Sequence, residues 1–166
     1  NAIKVCGLAN TKAVQIIEML QNVKKEHGSL TLEHLRKLSN DEVYDELLKH
    51  KGIGKKTISC LLAFGMDRDV FPVDTHVHRI MNRIGLVDTK TPDETFDASK
   101  EIVPDKHKVS FHTNLIRFGR NVCKAVNPLC EECMIRHLCD YKQKQSIMNS
   151  EPKAKAYNNF IILENI

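Results

Sequence analysis

The sequence contains no tryptophan, and aromatic residues make up only 5% of its 166 positions. Any hydrophobic core must therefore be mostly aliphatic. Long apolar runs are also absent: the longest spans about five residues, whereas a helix needs about 20 to cross a bilayer. The N-terminus lacks the charged, apolar and small segments of a signal peptide. These absences exclude a membrane-spanning protein. With 42% hydrophobic and 28% charged residues, the chain fits a soluble globular protein.

No alternating strand pattern precedes the C-terminal tail, so we expect an all-α fold with short connections. Apolar spacing predicts a first helix from Asn10 or Thr11 to about His27. The spacing of Ser39 and Glu42, repeated by Thr91 and Glu94, is that of a capping box and predicts further helix starts. We expect a helical lobe over residues 1–104, a second helical lobe over 105–142 and a tail over 143–166, either disordered or docked on the body.

Six cysteines are present, and four of them are clustered with the spacing C-x6-C-x2-C-x5-C. Clustered thiolates in an intracellular chain indicate metal binding and argue against a disulfide framework. Such a soft ligand set suits an iron–sulfur cluster or zinc, and the spacing alone leaves both open. The four candidate ligands are Cys123, Cys130, Cys133 and Cys139.

Positive charge is concentrated around these cysteines. The net charge is +4, and the segment from Val103 to Lys144 carries eight Lys or Arg residues against four acids, which accounts for the whole excess. A basic lobe of this kind is compatible with a polyanionic partner. Without other support, an ordinary solvated surface explains it equally well.

Gly52-Ile53-Gly54 forms a Gly-x-Gly turn between two predicted helices, the arrangement of a helix-hairpin-helix. Backbone N–H groups at such a turn can hold a phosphate, although a bare αα turn has the same sequence. Lys56 follows in the first helical turn, where the helix dipole disfavours a cation. Its amine therefore sheds a proton more readily and becomes a candidate nucleophile. Asp74 is predicted to cap the next helix and is a candidate catalytic carboxylate.

The segments HKGIGKKTISC, FPVDTHVHRIMNRIGLV and LIRFGRNVC, together with the cysteine loop, resemble the endonuclease III branch of the helix-hairpin-helix DNA glycosylase superfamily. The resemblance extends from about Ile3 to Lys142. It implies a helix-hairpin-helix glycosylase fold, with a partial six-helix lobe and an iron–sulfur cluster lobe. It also implies a longer N-terminal part ahead of this segment. We therefore expect either a fragment of a longer protein or a second chain that supplies the missing helices.

Roles follow from the resemblance by position. Lys56 matches the catalytic lysine, which attacks C1′ of a damaged nucleoside and forms a Schiff base, and Asp74 matches the catalytic aspartate. The four cysteines match the ligands of a [4Fe–4S] cluster, with zinc as the alternative. The cluster is expected to shape a basic loop that holds DNA. The implied DNA contacts are Gly52, Ile53, Gly54, Lys55, Thr57, His76, Lys124 and Arg136.

The resemblance implies base-excision repair by a DNA glycosylase with abasic-site lyase activity, acting on oxidised pyrimidines. It also implies an intracellular location, in the cytoplasm and nucleoid or, in a eukaryote, in the nucleus. The expected partner is double-stranded DNA with damaged bases or abasic sites, bound by a monomer once the N-terminal part is present. Retention of Lys56 argues against the mismatch-adenine branch, which lacks this lysine. The rival hypothesis is a non-catalytic DNA-binding or redox-sensing iron–sulfur module, or an inactive fragment of a longer glycosylase.

Overall fold

The computed structural model describes residues 3–141, and within this range the fold is all-α, with no strand. This confirms the expected fold class. Short 3-10 helices lie at Lys4–Cys6, Glu33–Lys37, Cys130–Glu132 and Arg136–Leu138. The six α-helices are α1 (Ala9–His27), α2 (Asn40–Leu47), α3 (Lys55–Cys60), α4 (Thr75–Arg83), α5 (Pro92–Ser99) and α6 (Lys108–Asn121).

The predicted caps are formed by the side chains expected to form them. The Ser39 hydroxyl accepts from Glu42 N–H at 3.3 Å, while the Glu42 carboxylate accepts from Ser39 N–H at 2.7 Å, which confirms the capping box. At α5 the Thr91 hydroxyl accepts from Glu94 N–H at 3.2 Å, but the Glu94 carboxylate accepts from Lys90 N–H at 2.8 Å. Both helices therefore start at residues specified by local sequence.

Several helix boundaries differ from those that the sequence predicts, which are a short helix from Thr31, a helix ending near Val103 and a helix starting near Lys106. The segment after Thr31 forms a 3-10 helix, and α5 ends at Ser99. Helix α6 begins at Lys108, because Lys106 adopts a positive φ of 68° and donates its N–H to Asp69 at 2.6 Å. After α3, residues Leu61–Gly65 continue as a π-helical turn.

The chain forms two compact units, residues 1–66 and 67–166. In the first unit α2 packs on α3; in the second, α4 packs on both α5 and α6. The cores are mostly aliphatic, as the composition predicts. Core residues of the first unit include Val23, Leu35, Val43, Leu47, Ile58 and Leu62, and those of the second include Phe71, Val77, Ile80, Met81, Leu115 and Phe118.

The apolar face of α1 is only partly buried. Val23 is 3% exposed, whereas Ile16 and Ile17 are 47% and 54% exposed and Leu20 is 44% exposed. Most of this apolar face is therefore not covered by any of the described residues.

The lobe boundary expected at residues 104 and 105 stays a prediction, beside the observed division after Met66. The expected tail at 143–166 lies outside the described residues. Among those residues, no helix combines the length and the hydropathy that crossing a bilayer requires.

Candidate functional site

The Gly-x-Gly turn lies between α2 and α3. Ile53 donates its N–H to His50 C=O at 3.1 Å, and Gly52 has a φ of +88°, which favours glycine. A Cβ at Gly52 would also lie 2.4 Å from side-chain atoms of Gln15. Gly54 caps α3 through its carbonyl, which accepts from Thr57 and Ile58 N–H groups. Unlike Gly52, Gly54 has open space where a Cβ would be.

A polar link joins α2 to α3 beside this turn. The Tyr44 hydroxyl and the Ser59 hydroxyl lie 2.7 Å apart, and Ser59 donates to Lys55 C=O at 2.7 Å. Ser59 is fully buried, so these hydrogen bonds are shielded from water. The link fixes the first turn of α3, where the Lys56 side chain is exposed.

Asp74 caps α4, as predicted. Its Oδ1 accepts from His76 N–H at 2.8 Å and from Val77 N–H at 2.9 Å. Among the described residues, no donor is found for Oδ2 of this half-buried carboxylate. The cap thus holds the side chain in a defined orientation and leaves one oxygen for another partner.

Helix α4 approaches α6 closely along one face. Arg79 Nη2 lies 3.1 Å from His76 Nδ1 and donates to the carbonyls of Gly119 at 3.1 Å and Cys123 at 2.9 Å. A Cβ on Gly119 would lie 2.8 Å from His76 Nδ1, so the approach requires glycine at this position. The helix that Asp74 caps is therefore fastened to the start of the cysteine loop.

One turn further along α4, Arg83 contacts both ends of that loop. Its guanidinium donates to Cys123 Sγ at 3.4 Å and to the carbonyls of Lys124 at 2.7 Å and Ala125 at 3.1 Å. Its carbonyl oxygen accepts from the Cys139 thiol at 3.2 Å, and its guanidinium lies 4.3 Å from the centroid of the Tyr141 ring. Arg83 therefore braces the loop at its first and last cysteines.

All four cysteines line one recess, and all four are half-buried. Burial raises the pKa of the Cys133 thiol. Burial, followed by the nearby Cys123 and Cys139 thiols, also raises the pKa of Cys130. Arg83 and Arg136 act on Cys130 in the opposite direction, as cations that favour its thiolate.

The sulfur spacing tests which metal centre the recess fits. Zinc with Zn–S bonds of about 2.3 Å in a tetrahedron would hold its sulfurs about 3.8 Å apart. Within residues 3–141, no three of these sulfurs lie within 4.8 Å of one another. No three of the four sulfurs are therefore as close together as the ligands of one bound zinc ion.

The structure brings some predicted site residues together and leaves others apart. Asp74 and His76 lie on the helix that contacts the cysteine loop, where Lys124 is exposed and Arg136 is half-buried. Gly52, Ile53, Gly54, Lys55, Lys56 and Thr57 belong to the first unit. Sequence reasoning missed Arg79 and Arg83. Their i, i+4 spacing puts them on one face of α4, and this signal could have indicated a shared partner.

Comparison with known families agrees with this geometry. Residues 1–105 match the model described as HhH-GPD superfamily base excision DNA repair protein. Residues 123–139, which contain all four cysteines, match the iron–sulfur binding domain of endonuclease III. The recess is therefore an iron–sulfur binding site.

Individual relatives cover most of this chain. Endonuclease III of Thermotoga maritima is 36% identical over 143 residues, 86% of this chain and 63% of the relative. Endonuclease III of Escherichia coli is 32% identical over 145 residues, 87% of this chain and 64% of the relative. A solved non-covalent endonuclease III–DNA complex superposes with a TM-score of 0.70 at 28% identity, covering 89% of this chain and 64% of that chain. The chain thus spans slightly under two thirds of these relatives, and it belongs to the HhH-GPD superfamily of base excision DNA repair proteins.

Proposed function

We propose that the protein is a DNA glycosylase with abasic-site lyase activity, acting on oxidised pyrimidines in double-stranded DNA. The observation that carries this proposal is the position of Lys56. Its exposed amine lies in the first turn of α3, directly after a Gly-x-Gly turn that leaves open space at Gly54. A nucleic-acid backbone can approach such a turn closely, because no side chain intervenes.

Lys56 is the proposed nucleophile. Its neutral amine attacks C1′ of the damaged nucleoside, the C1′–N bond breaks and the base leaves with a proton. The adduct opens to a Schiff base between Lys56 Nζ and C1′. Loss of a C2′ proton then expels the 3′-phosphate by β-elimination, and water releases the lysine from the sugar product. Covalent catalysis divides one difficult substitution into easier steps.

Asp74 is the proposed carboxylate of the same reaction, an assignment that rests on the family resemblance because the two residues belong to different units. A carboxylate can accept the proton that the lysine loses, or stabilise positive charge on the sugar in the transition state. The cap bonds to Oδ1 support this role, since they orient the side chain while Oδ2 keeps capacity to act.

We infer that the cysteine loop holds a [4Fe–4S] cluster through Cys123, Cys130, Cys133 and Cys139. The cluster would provide thiolate–iron bonds that shape the loop, and the loop would present the exposed Lys124 and the half-buried Arg136 to DNA. A brown protein with broad visible absorption supports this cofactor. A colourless protein with stoichiometric zinc contradicts it.

DNA contacts are proposed on the turn at residues 52–54, on Lys55, Thr57 and His76, and on the cluster loop. The target nucleotide must leave the duplex to expose C1′, and contacts to flanking phosphates supply the required leverage. Because phosphate contacts release counterions, binding should weaken steeply with salt. The working form is expected to be a monomer located where cellular DNA is found.

Borohydride trapping on duplex DNA with one abasic site tests the nucleophile. Reduction of the Schiff base links protein to DNA covalently, so the parent protein should give a cross-linked band. Lys56→Ala should give none. Lys49→Ala is the matched control, because it removes an exposed lysine of the same unit that is not a proposed DNA contact, and it should still cross-link.

Equal trapping by the parent and Lys56→Ala contradicts the assigned nucleophile. Salt-sensitive DNA retention without trapping or lesion cleavage by the parent supports the rival function, a DNA-binding or redox-sensing module. Reaction with thymine glycol in place of the abasic site separates glycosylase activity from lyase activity, and inactivity there would contradict the oxidised-pyrimidine assignment.

A further inference from the structure

Three metal-ligating side chains meet in the first unit, and neither the proposed reaction nor the cysteine loop uses them. His27 is the last residue of α1, His34 lies in the 3-10 helix Glu33–Lys37, and Glu46 lies in α2. Their ligand atoms all lie within 4.8 Å of one another. Three separate elements thus converge on one point of this unit.

The donor geometry is close to that of a metal site. His27 Nε2 lies 3.6 Å from Glu46 Oε1, and His34 Nε2 lies 2.6 Å from the same oxygen. Tetrahedral zinc with bonds of about 2.0–2.1 Å holds its nitrogen and oxygen ligands about 3.3 Å apart. The first distance is near this value. The second must lengthen by about 0.7 Å, from 2.6 Å to about 3.3 Å, and two metal bonds then replace the His34–Glu46 hydrogen bond.

We propose that His27, His34 and Glu46 form a binding site for one divalent transition-metal ion, principally Zn²⁺. Two imidazole nitrogens and one carboxylate form a ligand set used by zinc sites that keep a fourth position for water. Imidazole favours zinc and other transition metals over magnesium or calcium, which prefer oxygen ligands. This site is independent of the proposed glycosylase reaction.

Packing preorganises the ligands and leaves them accessible. The two imidazole rings lie 4.2 Å apart between centroids at an angle of 32°, and each is close to Glu46 through Nε2. The side chains of His27, His34 and Glu46 are 31%, 34% and 24% exposed, so an ion can enter from solvent. Gly28 ends α1 immediately after His27, with a φ of +73°.

The ion would act as a brace. It would tie the C-terminal end of α1 to α2, which lies immediately before the turn at Gly52 in sequence. A ligand that binds only the folded state raises the melting temperature with ligand concentration. Metal binding here replaces the hydrogen bond between His34 and Glu46.

Zinc binding to the full chain with its iron–sulfur cluster intact tests the proposal. Zn²⁺ is titrated against a chromophoric chelator, and the iron content is measured before and after to show that the cysteines stay occupied. We expect one Zn²⁺ per chain beyond the iron. His27→Ala and His34→Ala should each weaken binding by at least about 10-fold, because even residues that only orient metal ligands typically contribute about 10–100-fold to affinity.

His107→Ala is the matched control, because it removes an exposed histidine of the second unit, and it should bind zinc like the parent. Glu46→Gln keeps an oxygen acceptor for His34 but weakens the ligand, so it should lose affinity without losing the fold. Unchanged affinity in His34→Ala and in a folded Glu46→Gln overturns the proposal. So does a zinc-induced rise in melting temperature that is equal in the parent and in these variants.

Discussion

The guanidinium of Arg83 donates to Cys123 Sγ over 3.4 Å, while the carbonyl of Arg83 accepts from the Cys139 thiol. One residue of α4 thus contacts the first and last ligands of the iron–sulfur loop, although 40 positions separate it from Cys123. The same helix is capped by Asp74, the proposed catalytic carboxylate. The position of the loop and the position of that carboxylate are therefore set by one rigid element.

Replacing Arg83 by alanine should loosen the cysteine loop. The change removes hydrogen bonds to Cys123 Sγ and to the carbonyls of Lys124 and Ala125. We expect faster loss of iron under a chelator, followed by bleaching of the visible absorption. Lys90→Ala, which removes an exposed cation before α5, should retain iron like the parent. Equal bleaching of parent and Arg83→Ala contradicts the bracing role.

Two substitutions at Asp74 separate its structural role from its chemical role. Asparagine also caps helices well, so Asp74→Asn should melt near the parent temperature. Asp74→Ala loses the bonds to His76 and Val77 N–H and should cost about 1 kcal/mol of unfolding free energy. Both variants should lose base-removal activity, measured in single-turnover assays. Parent-like activity in Asp74→Asn means that the carboxylate only caps the helix.

The two glycines of the hairpin turn should respond differently to a side chain. Gly52→Ala forces a non-glycine residue to a φ of +88° and displaces Gln15, so it should lower stability by about 1–2 kcal/mol. Gly54→Ser places a favoured capping residue in open space and should preserve stability. If DNA approaches this turn, Gly54→Ser should nevertheless weaken DNA binding in a fluorescence anisotropy assay. If Gly54→Ser binds DNA as tightly as the parent, the DNA does not contact this turn.

Lys124 should contribute to the salt dependence of DNA binding. Its side chain is exposed, and the bond from Arg83 goes to its backbone carbonyl, so Lys124→Ala leaves that brace intact. If Lys124 contacts a phosphate, the slope of log affinity against log salt should decrease by about 1. Lys100→Ala removes the same charge from a lysine paired with Asp97 and is the control. Identical slopes in the two variants argue against this contact.

The raised pKa values of Cys130 and Cys133 predict a pH dependence of the metal-free protein. Since the folded state holds these protons more tightly than the unfolded state, the thiols contribute stability below the ordinary value of 9.0. That stability is lost as pH rises through the folded pKa. Cluster assembly requires thiolates and should therefore be faster at pH 8.5 than at pH 7.

Urea unfolding of the metal-free protein measures how its stability depends on pH. In the parent, the urea concentration at the unfolding midpoint should decrease as the pH is raised from 8 to 10. It should decrease less in the double variant Cys130→Ser, Cys133→Ser, because a serine hydroxyl does not titrate in this range. The same decrease in both proteins would show that other groups are responsible. The rate of cluster assembly at pH 8.5 and at pH 7 is measured by the rise in visible absorption after iron and sulfide are added.

The sequence by itself determined the helical class, the capping box at Ser39 and the cap at Asp74, since these depend on contacts between neighbouring residues. It also determined the metal-binding character of the loop, because cysteine spacing and thiol chemistry are local properties. The early end of α5 and the late start of α6 were not predictable in the same way. The start of α6 depends on Asp69, which is 37 residues away from Lys106.

Only the tertiary structure decided which distant residues share a site. Arg79 and Arg83 reach the cysteine loop because α4 packs on α6, with Gly119 permitting the approach. His27, His34 and Glu46 come together because a helix, a 3-10 helix and a second helix converge. Helical periodicity relates Arg79 to Arg83 on one face of α4, but no periodicity relates residues that lie on different elements. Their proximity arises from burying apolar faces that belong to different helices, and the polar side chains on those helices are then positioned by the packing.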